Sequence, residues 1–143
     1  MTYARIDLSK TDYNKLEDGT WKFIEYPDVD QLNNIYRTYC RHKKFKSVMP
    51  IFPSEYVDPR NELIGYMHEG QLVAFSIIKI FDSENAECVQ FAWDYAKPEL
   101  RLGINSLKHE CAWYKQCGYK YLFLGGADEY KKQFNGFEIL GPL

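Results

Sequence analysis

Apolar residues recur along this chain at two spacings. Steps of three and four join Leu32, Ile35, Tyr36 and Tyr39, and again Leu100, Ile104, Leu107, Cys111 and Tyr114, which puts each set on one face of a helix. The first helix is predicted to begin near Val29, with Asp28 as its cap, and to end around His42. The second follows a glycine-bearing turn, stops at Gly118 and leads straight into the apolar strand Tyr119–Leu124. Steps of two mark strands over Glu62–His68, Gln71–Phe81 and Ala86–Tyr95, the first pair joined by the tight-hairpin dipeptide Glu69-Gly70 and the second by a turn over Asp82–Asn85. In the third of these, strict alternation predicts Val89, Phe91, Trp93 and Tyr95 on one face and Cys88, Gln90, Ala92 and Asp94 on the other. Shorter strands are predicted at Tyr3–Leu8, Thr20–Tyr26 and Phe137–Leu140, and one or two helical turns at Glu129–Phe134. Pro50, Pro53 and Pro59 make Ser47–Arg60 read as a fixed irregular loop.

The resulting order, β-β-α-β-β-β-α-β-α-β, is α+β: a mostly antiparallel central sheet with helices packed on it. At 143 residues, with no internal repeats or linkers, the chain is expected to be a single domain over residues 1–143. Hydrophobic residues make up 45% and aromatic ones 17%, which excludes a disordered chain. The net charge of −2 argues against a surface that grips nucleic acid all round and confines any such contact to a local patch. Cys40, Cys88, Cys111 and Cys117 lack metal-ligand spacing, so no metal site is expected. No apolar run reaches the roughly 18 residues of a membrane span, and a cytoplasmic protein with reduced thiols and no membrane partner is expected.

Two stretches carry candidate chemistry. A helix start leaves backbone N–H groups unpaired at the positive end of the helix dipole, so the turn Leu102, Gly103, Ile104 and Asn105 is a candidate donor-binding edge for an anionic group, with Arg101 beside it. Arg37, Arg41, Lys43, Lys44 and Lys46 crowd the end of the first helix; they read either as cations complementing the helix dipole or as a phosphate-binding patch with Tyr39 and Phe45 as stacking partners. Cys111 and Cys117 have no neighbouring base and are not read as nucleophiles.

The element order is similar to that of the GNAT acyltransferases, whose central strand, glycine turn and helix hold the coenzyme A pyrophosphate through Q/R-x-x-G-x-G/A. With Gly103 at the first glycine, Leu100 stands at the polar position and Asn105 at the second glycine. Three further blocks resemble the C-terminal, GNAT-like domain of the arginyl-tRNA–protein transferases and their leucyl-transferring relatives. They are Leu100-Arg101-Leu102-Gly103, then Gly118-Tyr119-Lys120-Tyr121-Leu122-Phe123-Leu124-Gly125, then Tyr130-Lys131-Lys132-Gln133-Phe134 with Glu138-Ile139-Leu140. The helix ending Arg41-His42 also looks like that family's tyrosine-rich helix. Gly136 departs from the family, which has proline there, and the family's separate N-terminal domain has no counterpart in this sequence.

The resemblance implies transfer of an acyl or aminoacyl group from an activated donor, aminoacyl-tRNA or acyl-CoA, to an amine on a small molecule or a protein N-terminus. No cofactor is required by it beyond coenzyme A or acetyl-CoA as a possible donor. It implies Tyr130 as the proton source for the leaving group and Arg41 and His42 as substrate contacts; by position alone, the strand carboxylates Asp94 and Glu87 are candidate acceptors of the amine proton, Asp94 the better placed near the strand end, and Arg101 a further substrate contact. Two alternatives stay open: an acyl-CoA-dependent N-acetyltransferase, and a non-catalytic binding module on the same scaffold. A V-shaped parting of Ala86–Tyr95 from Tyr119–Leu124 above Gly103 would favour the catalytic readings.

Overall fold

The computed structural model describes residues 3–44, 51, 53–95, 97–124 and 129–141. Seven strands form one sheet in the order β2-β3-β4-β5-β6-β1-β7. They are β1 (Ala4–Asp7), β2 (Trp21–Phe23), β3 (Asn61–His68), β4 (Gln71–Ile80), β5 (Asn85–Trp93), β6 (Tyr121–Leu124) and β7 (Phe137–Ile139). Only β5 and β6 pair in parallel; the other neighbours run antiparallel. Sequence periodicity located β1 but not its place: it threads between β6 and β7, pairing Ala4 with both Leu124 and Ile139.

Helices α1 (Val29–Lys43) and α2 (Pro53–Val57) lie on one face of the sheet, where Leu32, Ile35, Tyr36 and Cys40 bury against Leu63, Phe75, Ile77 and Ala92. Helix α3 (Leu102–Gln116) lies on the other, with Leu107, Cys111 and Tyr114 against Ile64, Tyr66, Ala74 and Ile78. Each such fully buried aliphatic side chain is worth about 1.5–3 kcal/mol of transfer free energy, so both helices are held by packing rather than by propensity.

The expected punctuation is present. Asp28 accepts a hydrogen bond from the Gln31 N–H at 3.2 Å, and Glu69 and Gly70 both adopt positive φ, as a two-residue hairpin with the twist of its strands requires. Ser47–Arg60 is corrected in part. Pro53 opens the short helix α2 instead of preventing one, because a first-turn proline lacks only a donor that the helix would leave unpaired anyway. The Tyr56 hydroxyl then anchors α2 by donating to Asn33 Oδ1 at 2.7 Å. Residues 45–50 and 52 of this stretch, Pro50 among them, lie outside the described residues.

The strict alternation in β5 is also corrected. A bulge sets Ile77 opposite Gln90 but Ile78 opposite Cys88, so Val89 is extra and points outward, 40% exposed. Cys88 therefore joins Phe91 and Trp93 on the α3 side. Leu100 likewise falls short of α3: Pro98–Leu100 is a separate 3₁₀ turn, and Arg101, left-handed at φ 48° and ψ 48°, divides it from the helix.

Candidate active site between β5 and helix α3

Parallel pairing of β5 with β6 ends at Cys88 and Leu124, while β5 runs on to Trp93. Among the described residues no strand pairs with β5 on that side beyond Cys88. The bulge at Val89 follows the last described β5–β6 pair, and the first turn of α3 faces β5 beyond it. The cleft so formed holds about 380 Å³ and is lined by Tyr39, His42, Phe91, Trp93, Tyr95 and Tyr130, with Lys43, Pro98, Arg101, Gly103 and Ile104 completing the wall.

Its aromatic side is built as a stack. Tyr95 lies parallel to His42, ring centroids 3.7 Å apart, and to Trp93 at 4.6 Å, while Tyr39 lies parallel to Tyr95 at 5.9 Å. Alternation alone does not aim Tyr95 there: its φ of 61° turns the chain out of β5. Tyr95 and Arg101, both left-handed, flank the mouth, which is where backbone strain concentrates in functional sites. Burial raises the Tyr95 phenol above its ordinary range, so it stays a neutral stacking surface and hydrogen-bond donor at neutral pH.

Among the described residues the lining contains His42, Lys43 and Arg101 but no acidic side chain. At the start of α3 the Ile104 and Asn105 N–H groups are taken by the Arg101 carbonyl, at 3.2 and 2.9 Å, which leaves those of Leu102 and Gly103 directed out of the helix. Asn105 also spends its side chain locally, donating to the Leu100 carbonyl at 2.7 Å. A Cβ on Gly103 would meet nothing within 4 Å, and its φ is not positive. Neither packing nor backbone demands glycine there, so the room it leaves faces the cleft. These features fit one phosphate of a donor such as coenzyme A at Leu102 and Gly103; Asn105 is not part of a wider cradle.

Of the residues predicted from sequence, Tyr130, His42, Arg101, Gly103 and Ile104 meet in this one cleft. Leu102 turns its side chain into the core, 7% exposed. Arg41 is exposed and donates to Thr38 Oγ1 at 3.3 Å, away from the lining. Asp94, between Trp93 and Tyr95, lies outside the lining, and its N–H donates to the Val73 carbonyl at 3.1 Å. Phe45 and Lys46 fall outside the described residues.

Sequence reading missed the aromatic wall as a site, although Phe91, Trp93 and Tyr95 at a step of two signalled it. It also missed Glu110. This carboxylate is buried in α3 beneath the cleft, where it accepts hydrogen bonds from Tyr66 and, at 2.7 Å, from Ser76. The available signal was its position, three residues after Leu107 and four before Tyr114, within the helix's inner stripe.

The sequence matches no protein-family model and no curated protein. Solved structures do match. The C-terminal domain of a lysylphosphatidylglycerol synthetase from Agrobacterium fabrum superposes with a TM-score of 0.64 at 15% identity, over 88% of this chain and 46% of that one. A GNAT-family acetyltransferase from Novosphingobium aromaticivorans gives 0.63 at 14% identity, over 96% and 58%. Saccharomyces cerevisiae N-myristoyltransferase, solved with myristoyl-CoA, gives 0.60 at 10%, over 96% and 46%. The fold is that of the GNAT acyltransferases. The chain spans about half the length of these three proteins. No described helix is long and apolar enough to cross a membrane.

Proposed function

We propose that this chain is an acyltransferase that moves an activated acyl or aminoacyl group to an amine within the cleft between β5 and α3. The observation that carries the reading is the cleft that brings Arg101 and Gly103 at the start of α3 together with Tyr130 and the aromatic wall of β5. In the proposed reaction the neutral amine attacks the donor carbonyl and a C–N bond forms. The C–S or C–O bond to the leaving group then breaks, and the Tyr130 hydroxyl supplies its proton. The proton lost by the amine goes to water; Asp94, outside the lining, can receive it only through such a water. Tyr130 recovers its proton from solvent.

Two donors suit different parts of the cleft. An aminoacyl ester of a terminal adenosine places a planar base a few bonds from the reacting carbonyl. The Trp93–Tyr95–His42 stack, in the same cavity as Tyr130, offers a surface for such a base, with Arg101 and Lys43 near its phosphate. This supports the aminoacyl-tRNA-dependent reading that the three sequence blocks imply. An acyl-CoA instead carries its base far from the thioester, and its phosphate suits the Leu102 and Gly103 N–H groups. The amine acceptor is a small molecule or a protein N-terminus, and the four free cysteines fit a reducing cytoplasm. The test is direct. Folded protein is given radiolabelled aminoacyl-tRNA or acyl-CoA and a mixed pool of peptides and small amines. Label in an amide product from either donor supports the reading and selects the donor; no transfer from both overturns it.

A further inference from the structure

Among the described residues Glu110 is the one acidic residue whose side chain is fully buried, and its hydrogen-bond partners come from two adjacent strands. Its Oε2 accepts from the Tyr66 hydroxyl of β3 and from Ser76 Oγ of β4, and the Cys88 thiol of β5 faces the same carboxylate. Cys88 is the last β5 residue paired with β6, immediately before the bulge. Tyr66 has a second acceptor within reach, the Ser106 carbonyl at 3.4 Å, and Ser106 Oγ in turn donates to the Gly103 carbonyl at 3.5 Å. A continuous polar path thus runs from Glu110 to the turn of α3 that lines the cleft.

We propose that Glu110 is a proton-dependent positioning residue. Ionised, its carboxylate holds Tyr66 and Ser76 and so ties α3 to β3 and β4 beside the cleft. When it takes up a proton from solvent its Oε2 loses its charge and becomes a weaker acceptor, and the Tyr66 hydrogen shifts its bond toward the Ser106 carbonyl. The Leu102–Ser106 turn, and with it the Gly103 edge of the cleft, then changes position relative to β5.

The surroundings make Glu110 the group that changes charge near neutrality. Burial raises it to about 7, against the pull of Tyr66, Ser76, Cys88 and of Lys131 in the 3₁₀ turn Glu129–Gln133. Burial and the Glu110 charge hold Tyr66 and Cys88 well above their ordinary values, and burial does the same for Cys111 and Tyr114 on α3 itself. Those four remain protonated throughout.

The test is an amide titration of the whole protein by NMR between about pH 5 and 9. The Gly103 and Ser106 amide shifts are expected to titrate with a midpoint of about 7, matching that of the Glu110 side-chain carboxyl carbon. The same midpoint should persist in His42→Gln, which removes the imidazole stacked on Tyr95. In Glu110→Gln the amide titration should be lost. Should that variant not fold, Ser76→Ala removes one donor to the carboxylate, and the carboxyl and amide midpoints must then rise together. An amide titration that survives Glu110→Gln, that disappears in His42→Gln, or whose midpoint stays put while the carboxyl midpoint moves in Ser76→Ala overturns the proposal.

Discussion

His109 and Glu110 are consecutive on α3, both essentially fully buried, and both touch Tyr66 of β3, the imidazole ring 6.1 Å from the phenol ring and the carboxylate accepting from its hydroxyl. Glu110 faces the strands. His109 faces the N-terminal segment: its Nδ1 accepts from the Leu16 N–H at 3.0 Å, its ring lies 4.3 Å from that of Trp21, and its Nε2 has no partner among the described residues. An accepting Nδ1 fixes the neutral imidazole with its proton on Nε2.

The pair predicts two opposing pH dependences of stability. Burial lowers His109 from 6.5 to about 4, so the folded state binds fewer protons and stability is lost as pH falls from 6.5 toward 4. Burial raises Glu110 from 4.5 to about 7, so the folded state binds more protons and stability is lost as pH rises from 4.5 to 7. Each amounts to about 3 kcal/mol, and between pH 4.5 and 6.5 they largely cancel. Urea unfolding of the wild type should be nearly flat in that window. Glu110→Gln should become steadily more stable as pH rises through it, and His109→Gln steadily less. Parallel curves for all three proteins would contradict the assignment.

Tyr130→Phe keeps the ring and removes the proton. Turnover with whichever donor proves active should fall by about 10²-fold or more, with little change in KM, since the lost interaction belongs to departure of the leaving group. Steady-state kinetics on the two proteins decide this.

Arg101 separates charge from backbone. At φ 48° a glycine is less strained than arginine by about 1 kcal/mol. Arg101→Gly should therefore leave the unfolding midpoint unchanged or raised while weakening a phosphate-bearing ligand several-fold, and more so at low salt. Calorimetry of the donor, beside thermal melts, separates the two effects.

Gly136 and Gly103 make a contrasting pair. Gly136 has φ +77°, and a Cβ there would sit 2.4 Å from the Asp7 carbonyl oxygen, backbone that cannot yield. Gly136→Ala should cost upward of about 2 kcal/mol in urea unfolding. Gly103→Ala should fold as well as wild type, because its Cβ meets nothing, yet should weaken donor binding if the cleft wall approaches a ligand there.

Much of this molecule is readable from local signals. The α1 cap at Asp28, the Glu69-Gly70 turn and the stop at Gly118 each depend on residues within a few positions of one another, and all three are where their chemistry requires. What escaped depended on distant partners. The Val89 bulge is a mismatch between two strands, invisible in either alone. Glu110 falls within the inner stripe of α3, but the hydroxyls that satisfy it, Tyr66 and Ser76, come from two distant strands. His109 is buried because the N-terminal segment covers a second side of α3. The candidate site was half legible: Tyr130, His42, Arg101, Gly103 and Ile104 converge, but the aromatic wall needed the positive φ of Tyr95 to form.

The insertion of β1 between β6 and β7 orders events in time. Ala4–Asp7 must wait for partners well over a hundred residues downstream, so a nascent chain emerging from the ribosome holds this strand unsatisfied until β6 and β7 have been made. Such sequence-distant pairing is the slow kind, favouring milliseconds to seconds over microseconds. In pulse-labelled exchange, the amides of β1, β6 and β7 should gain protection together and late, after the β3–β4 hairpin.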